Sequence, residues 1–237
     1  MSIRTLKQAH EALAAAGDAK IAAHSSGFFK AIPGGYGEGD RFYGVRVPVV
    51  RALAKRAREM PLEKVERLLR SGYHEARLLA LVLLCTRYER GDEVQRDRIY
   101  RFYLASTEWV NNWDLVDASA HKIVGEHLLR RSRRPLDKLA RSSVMWERRI
   151  AMIATYRFIR AGELEPTWAL AKRLLGDSHD LMHKAVGWML REAGKRDVDA
   201  LRAFLEIHAA KMPRTALRYS IEKLSLAERK RWLARGR

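Results

Sequence analysis

Between Asn111 and Gly125 the chain reads NNWDLVDASAHKIVG, and one acidic residue in it lacks an ordinary structural explanation. Asn111 or Asn112 is suited to cap a helix, and Asp114 falls in the first turn, where the helix dipole favours a carboxylate. Asp117 lies one turn further in. It follows Trp113 by four residues and shares its face, which Ala120 and Val124 continue. A carboxylate beside an indole on a mostly apolar face either pairs with a cation from a neighbouring element or is presented to a ligand. Spacing alone favours the ion pair and leaves the ligand reading open. Further on, Arg148 and Arg149 follow Trp146, and Trp188 lies between Lys184 and Arg191. If these segments are successive units of one stacked array, equivalent positions line one surface. Trp113, Asp117, Arg149 and Trp188 are then expected on a groove supplied with basic residues.

Other chemistries have thinner support. HDLMH places His179 and His183 at a metal-compatible spacing, but the glutamate of HExxH and an obvious third ligand are missing, so no metal is expected. Asp177, Ser178 and Asp180 look like helix-start signals. His121 and His127 do not share a helical face, and no serine or cysteine sits in a nucleophile motif. Gly34, Gly35, Gly37 and Gly39 invite comparison with a phosphate-cradling loop. No strand precedes them and no GK[ST] follows, so the expectation is an ordered inter-helix loop anchored by Tyr36, Phe42 and Tyr43. Trp168 and Trp232 read as packing residues.

The elements that must position these residues are helices. Periodicity predicts them over 2–16, 19–30, 48–60, 62–71, 74–90, 93–106, 113–131, 136–142, 146–161, 166–175, 181–193, 198–211, 213–224 and 226–234. Glycines at 17, 72, 91, 162, 176 and 194 stop them, and Pro48, Pro166 and Pro213 open them. EARLLALVLL from Glu75, ERRIAMIATY from Glu147, HKAVGWMLRE from His183 and RTALRYSIEK from Arg214 form a weak repeat with a basic start and a continuous apolar face. Repeated helix pairs of that length bury their apolar faces against neighbours. The fold expected is all-α, a curved superhelical array of HEAT-like antiparallel helix pairs, with residues 1–237 forming one domain.

The chain carries 46 Lys and Arg against 28 Asp and Glu, a formal charge of +18 over 237 residues. Cationic side chains that release counterions from a polyanion gain affinity by doing so, which makes nucleic acid the expected partner. With 47% hydrophobic and 31% charged residues the composition is that of a globular protein, with no apolar run long enough for a membrane span. The N-terminus lacks the apolar core of a secretion signal, and Cys85, the single cysteine, sits in LLALVLLC and reads as a buried, inert thiol. A cytoplasmic location is expected.

Four motifs in order, GGYGEGDRFYGVRVP at 34–48, WDLVD at 113–117, WERR at 146–149 and KAVGWMLRE at 184–192, resemble the AlkC/AlkD superfamily of alkylpurine DNA glycosylases. The resemblance implies bent arrays of HEAT-like repeats that hydrolyse the N-glycosidic bond of N3- or N7-alkylated purines in double-stranded DNA. It implies no metal or organic cofactor, and a base that stays in the stack. By the same resemblance Asp117 matches the catalytic aspartate. Trp113 and Trp188 match the aromatic pair beside the lesion-bearing nucleotide, and Arg149 matches the neighbouring arginine. Arg148, Lys184, Arg191, Phe28 and Lys30 are the expected DNA contacts. Phe28 stands where the family has a tyrosine, losing a hydroxyl, and Asn112 stands where some members have a second tryptophan. The alternatives are a non-catalytic HEAT-like module for damaged or structured DNA and a scaffold for acidic proteins. A monomer is expected.

Overall fold

The structure, a computed structural model, describes residues 2–235. The chain forms α1 (Leu6–Ala15), α2 (Ala19–Phe28), α3 (Val47–Arg56), α4 (Leu62–Leu69), α5 (His74–Arg90), α6 (Glu93–Leu104), α7 (Trp113–Ala120) and α8 (Glu126–Leu128). It continues through α9 (Arg134–Leu139), α10 (Met145–Arg160), α11 (Glu165–Leu174), α12 (Asp180–Gly194), α13 (Val198–His208), α14 (Arg214–Ser220) and α15 (Leu226–Arg235). Among the described residues there is no strand, only an isolated bridge between Arg41 and Tyr73. The all-helical class is as the periodicity predicts.

Most boundaries shift by a few residues from the sequence expectation, and two of the differences have a clear local cause. The first helix begins at Leu6 because Thr5 caps it, its hydroxyl accepting from the Gln8 N–H while the Gln8 side chain accepts from the Thr5 N–H. Before that cap the chain is extended, and the Ile3 N–H donates to the Arg56 carbonyl at 3.0 Å. The helix expected over 113–131 is interrupted by a π-helical turn at His121–Gly125. There Gly125 lies so close to α10 that a Cβ would come within 2.3 Å of the Ala154 carbonyl oxygen. Any larger residue at this position could not make that approach.

The contacts divide the chain into two compact units, Met1–Ser119 and Ala120–Arg237. In the first, α5 is the central element, packed against α1, α3, α4 and α6, with His74 through Leu81 all buried. The glycine-containing loop is pinned to its first turn: the buried Glu75 carboxylate accepts from the N–H groups of Tyr43, Gly44 and Val45 at 3.0, 2.8 and 3.0 Å. Three amide donors on one carboxylate turn a loop into a fixed structure. Phe42 stacks on Phe29 and Tyr43 on Tyr73, as the anchoring expectation requires.

In the second unit α10, α12 and α14 pack in a row, and α9, α11, α13 and α15 flank it. The row is three of the four repeat segments, and α5 carries the fourth. A Cβ at Gly187 would meet the Ala216 carbonyl oxygen at 2.5 Å, so the missing side chain lets α12 and α14 approach. Trp232 is buried beneath the guanidinium groups of Arg231 and Arg235, and Trp168 packs on Phe204; both are packing residues.

Candidate active site and nucleic-acid interface

Within the first unit, Asn112 builds the start of α7. It is fully buried, its Oδ1 accepts from the Trp113 N–H at 2.9 Å, and its Nδ2 donates to the Phe29 carbonyl at 3.4 Å. The Asn112 side chain therefore ties α7 to the end of α2. Trp113 is half-buried and stands on an aromatic platform. Phe29 packs on it at 5.5 Å with planes 29° apart, and Phe28 meets it edge-on at 5.7 Å and 75°. Phe28 itself is 55% exposed, presenting a hydrocarbon edge where a hydroxyl is expected.

Asp117 is half-buried one turn below Trp113. Its charge reaches Tyr103, whose phenol is raised well above its usual range, chiefly by burial and further by Cys85 and Asp117, against the Ser119 hydrogen bond at 2.9 Å. Tyr103 is thus a neutral partner beneath this face.

Behind the platform lies a network that sequence reasoning missed. His74 donates from Nε2 to Asp114 Oδ2 at 2.9 Å and from Nδ1 to Asp40 Oδ2 at 3.2 Å, and Arg77 donates to the same Asp40 oxygen at 2.6 Å. Phe29 and Phe42 stack on the imidazole at 4.5 and 5.2 Å. Burial pulls the His74 pKa down, but the two carboxylates outweigh it and hold the ring at about 9. The partners lie 34 and 40 residues away in the chain, beyond the reach of any helical spacing.

In the second unit, Arg149 is 4% exposed and its guanidinium donates to the Leu181 carbonyl. Trp188 is half-buried; its indole N–H donates to Glu192 Oε1 at 3.2 Å, and Tyr156 lies 6.2 Å away. Tyr156 in turn meets His121 edge-on at 5.4 Å. Burial, with Lys122 and Arg160 adding to it, pushes His121 down to about 4 and keeps it neutral near neutral pH.

Three expected phosphate contacts have internal acidic partners. Arg148 holds Asp177 through two hydrogen bonds of 2.6 and 3.3 Å and donates to the Ser142 and Ser143 carbonyls at 2.9 Å each. Burial alone would raise Asp177, yet Arg148 and the His179 N–H hold its carboxyl below the usual range. Lys184 pairs with Asp180 at 2.7 Å, and Arg191 pairs with Glu192 and Glu222. Arg148 is in effect a clamp between the start of α10 and the loop before α12. Lys30 is the contrasting case, exposed and in the left-handed backbone region at φ 54°. His179 caps α12, its Nδ1 accepting from the Leu181 N–H, and His183 Nε2 faces the Asp177 carbonyl. Among the described residues no cluster of three or more His, Cys, Asp or Glu is arranged to hold a metal.

The first unit also carries a cleft of about 880 Å³ with an aliphatic floor that includes Val82, Leu83 and Ile99. Arg51, Lys55, Arg58, Arg87, Arg90 and Arg98 line it, none of them singled out from spacing. Glu59 lines it too, and Arg58 and Arg98 pair with Glu59 and Glu66, so the excess positive charge there comes from Arg51, Lys55, Arg87 and Arg90.

The described residues thus define an all-helical, α-solenoid-like protein with a tryptophan and an aspartate on one face of α7 and a cleft lined largely by arginine and lysine. The profile of the DNA alkylation repair enzymes matches residues 9–224, and the chain belongs to that family, whose partner is DNA. Among solved structures it is similar to a predicted DNA alkylation repair enzyme from Enterococcus faecalis, with a TM-score of 0.67 and 18% identity over 89% of this chain and 97% of that one. At that identity the likeness establishes the fold. A comparison with curated proteins found no match. No described helix is long and apolar enough to cross a membrane.

Proposed function

We propose that this DNA alkylation repair protein is a monofunctional glycosylase that hydrolyses the N-glycosidic bond of N3- and N7-alkylated purines in double-stranded DNA, leaving the base in the stack. The observation that carries this reading is the half-buried Asp117 one turn from Trp113, whose aromatic platform is continued to the surface by Phe28. An alkylated purine is already cationic and leaves without a general acid. The sugar left behind gains oxocarbenium character, which a carboxylate stabilises while positioning water. Indole faces favour the same positive charge and exclude bulk water.

In this assignment Asp117 stabilises the transition state, and Trp113 packs against the nucleotide backbone. For Trp188 and Arg149, in the second unit, the family resemblance supports a contact with the lesion-bearing nucleotide. Phe28, Lys30, Lys184 and Arg191 contact DNA, and Arg148, divided between Asp177 and two backbone carbonyls, shapes the surface beside them. No metal or organic cofactor enters the chemistry. The two units are read as one repair domain over 1–237, acting as a monomer in the cytoplasm.

The test is release of free base from duplexes carrying N7-methylguanine or N3-methyladenine. Wild-type protein is expected to release base, and Asp117→Asn is expected to lose release by 10²-fold or more, on the order of one electrostatic stabiliser, while binding DNA at least as well. Binding without release by the wild type would replace the glycosylase reading with the non-catalytic DNA-binding module.

A further inference from the structure

The His74 network does more than fill the interior. Both ring nitrogens face carboxylate oxygens, which only accept hydrogen bonds, whereas a neutral imidazole has a single N–H. Two donated bonds therefore require the imidazolium. With Arg77 it balances Asp40 and Asp114, two cations against two anions, in a setting where the side chains of His74, Arg77 and Asp40 are 2%, 2% and 4% exposed.

This histidine reaches Trp113 by two routes. One is the hydrogen bond to Asp114, the residue next to Trp113 in the first turn of α7. The other is the stack in which Phe29 lies 4.5 Å from His74 and 5.5 Å from Trp113. We propose that His74, clamped as an imidazolium between Asp40 and Asp114, is the positioning residue that holds Trp113 and Asp117 in the geometry that excision requires. This rests on the assignment of Trp113 and Asp117 made above. His74 touches no DNA; it acts through α7.

Loss of its proton breaks one of the two bonds. Asp40 keeps Arg77, whereas Asp114 has only the imidazole, its other oxygen being buried without a hydrogen-bond partner, so the two acids then compete for the single N–H that holds α7. The first turn of α7 is then held by a neutral ring in place of an ion pair, which loosens Trp113. The charged groups facing His74 are Asp40 from the loop, Arg77 from α5 and Asp114 from α7, and Phe29 and Phe42 close the faces.

The experiment has two readouts on the full chain. In 15N-labelled protein the Trp113 indole resonance, assigned by Trp113→Phe, is followed from about pH 6.5 to about pH 9.5 and in His74→Gln. Single-turnover release of N7-methylguanine is measured over the same range. The Trp113 resonance is expected to move with a midpoint near that of His74 and to be displaced at all pH values in His74→Gln. The excision rate should fall on the order of 10²-fold in that variant, the cost of a misplaced reacting group. Adding Asp114→Asn, which removes the stranded carboxylate, should recover most of the loss. A Trp113 resonance indifferent to both pH and His74→Gln overturns the proposal, as does wild-type excision in His74→Gln. If the wild type releases no base, the glycosylase reading fails, and the indole readout alone decides the role of His74. If His74→Gln does not fold, the wild-type titration and the double variant decide it.

Discussion

Arg148 was expected at the DNA surface, and its guanidinium is instead divided between Asp177 and two carbonyls of the preceding turn. Removing it takes the paired cation from a carboxylate whose side chain is 4% exposed and leaves it the His179 N–H as donor. Arg148→Ala is accordingly expected to cost about 3 kcal/mol of stability, read by denaturant unfolding, with a DNA salt dependence close to wild type. A large drop in that dependence without a stability loss would return Arg148 to the interface. Two histidines set a pH optimum from opposite sides. His74, raised to about 9, contributes stability that is fully present below its unfolded value of 6.5 and is lost as pH rises through about 9. His121, lowered to about 4, must stay neutral, so its contribution is lost as pH falls from 6.5 towards 4. From these two groups the melting temperature is expected to peak near pH 6.5, with the alkaline limb absent in His74→Gln. A flat thermal profile between about pH 7 and about pH 9.5 would contradict the charged His74.

At the scale of elements, the closest approaches are set by residues without side chains. Gly187 sits where α12 touches α14, with the Ala216 carbonyl 2.5 Å from where a Cβ would stand. Gly187→Val is expected to destabilise by roughly 1–3 kcal/mol or more, since backbone on the facing helix has to move. Because Trp188 is the next residue, excision should fall more steeply than the melting temperature alone accounts for. An unchanged melting temperature would show that the row tolerates wider spacing. The long helices were readable because their apolar positions recur at the helical period over ten or more residues, and EARLLALVLL and ERRIAMIATY open at the first turns of α5 and α10. The π turn at His121–Gly125 was not, because α7 and the residues after it keep a helical pattern through it. Only the closeness of Ala154 marks the place.

For the molecule as a whole, +18 is a statement about partners, and the internal pairs show how it is shared out. Many arginines hold carboxylates across adjacent helices, as Arg157 holds Glu126 and Arg202 holds Glu228. Affinity for duplex DNA is expected to fall by 10³–10⁵ between about 50 and about 200 mM salt if roughly 6–10 phosphates are contacted. The cleft is the place to test where those contacts lie. Charge reversal of Arg51 and Lys55, exposed one turn apart on α3, should weaken binding and lower the salt slope by about 2. An unaltered slope would assign the cleft to something other than DNA.

By itself the sequence determined the helical class, the fourteen helical segments to within a few residues, the basic character and the shared face of Trp113 and Asp117. All of these depend on local periodicity or on sums over residue types. Tertiary structure alone decided which charges face outward. Whether Arg148 or Arg191 meets solvent or a carboxylate depends on Asp177 and Glu222 from other elements, whereas the Lys184–Asp180 pair is an i,i+4 pair within α12. It also decided that His74, unremarkable as the first residue of a helix, stands between Asp40 and Asp114. Local spacing extends over about one helical turn, whereas a buried ion network is assembled from segments that meet only when the chain folds.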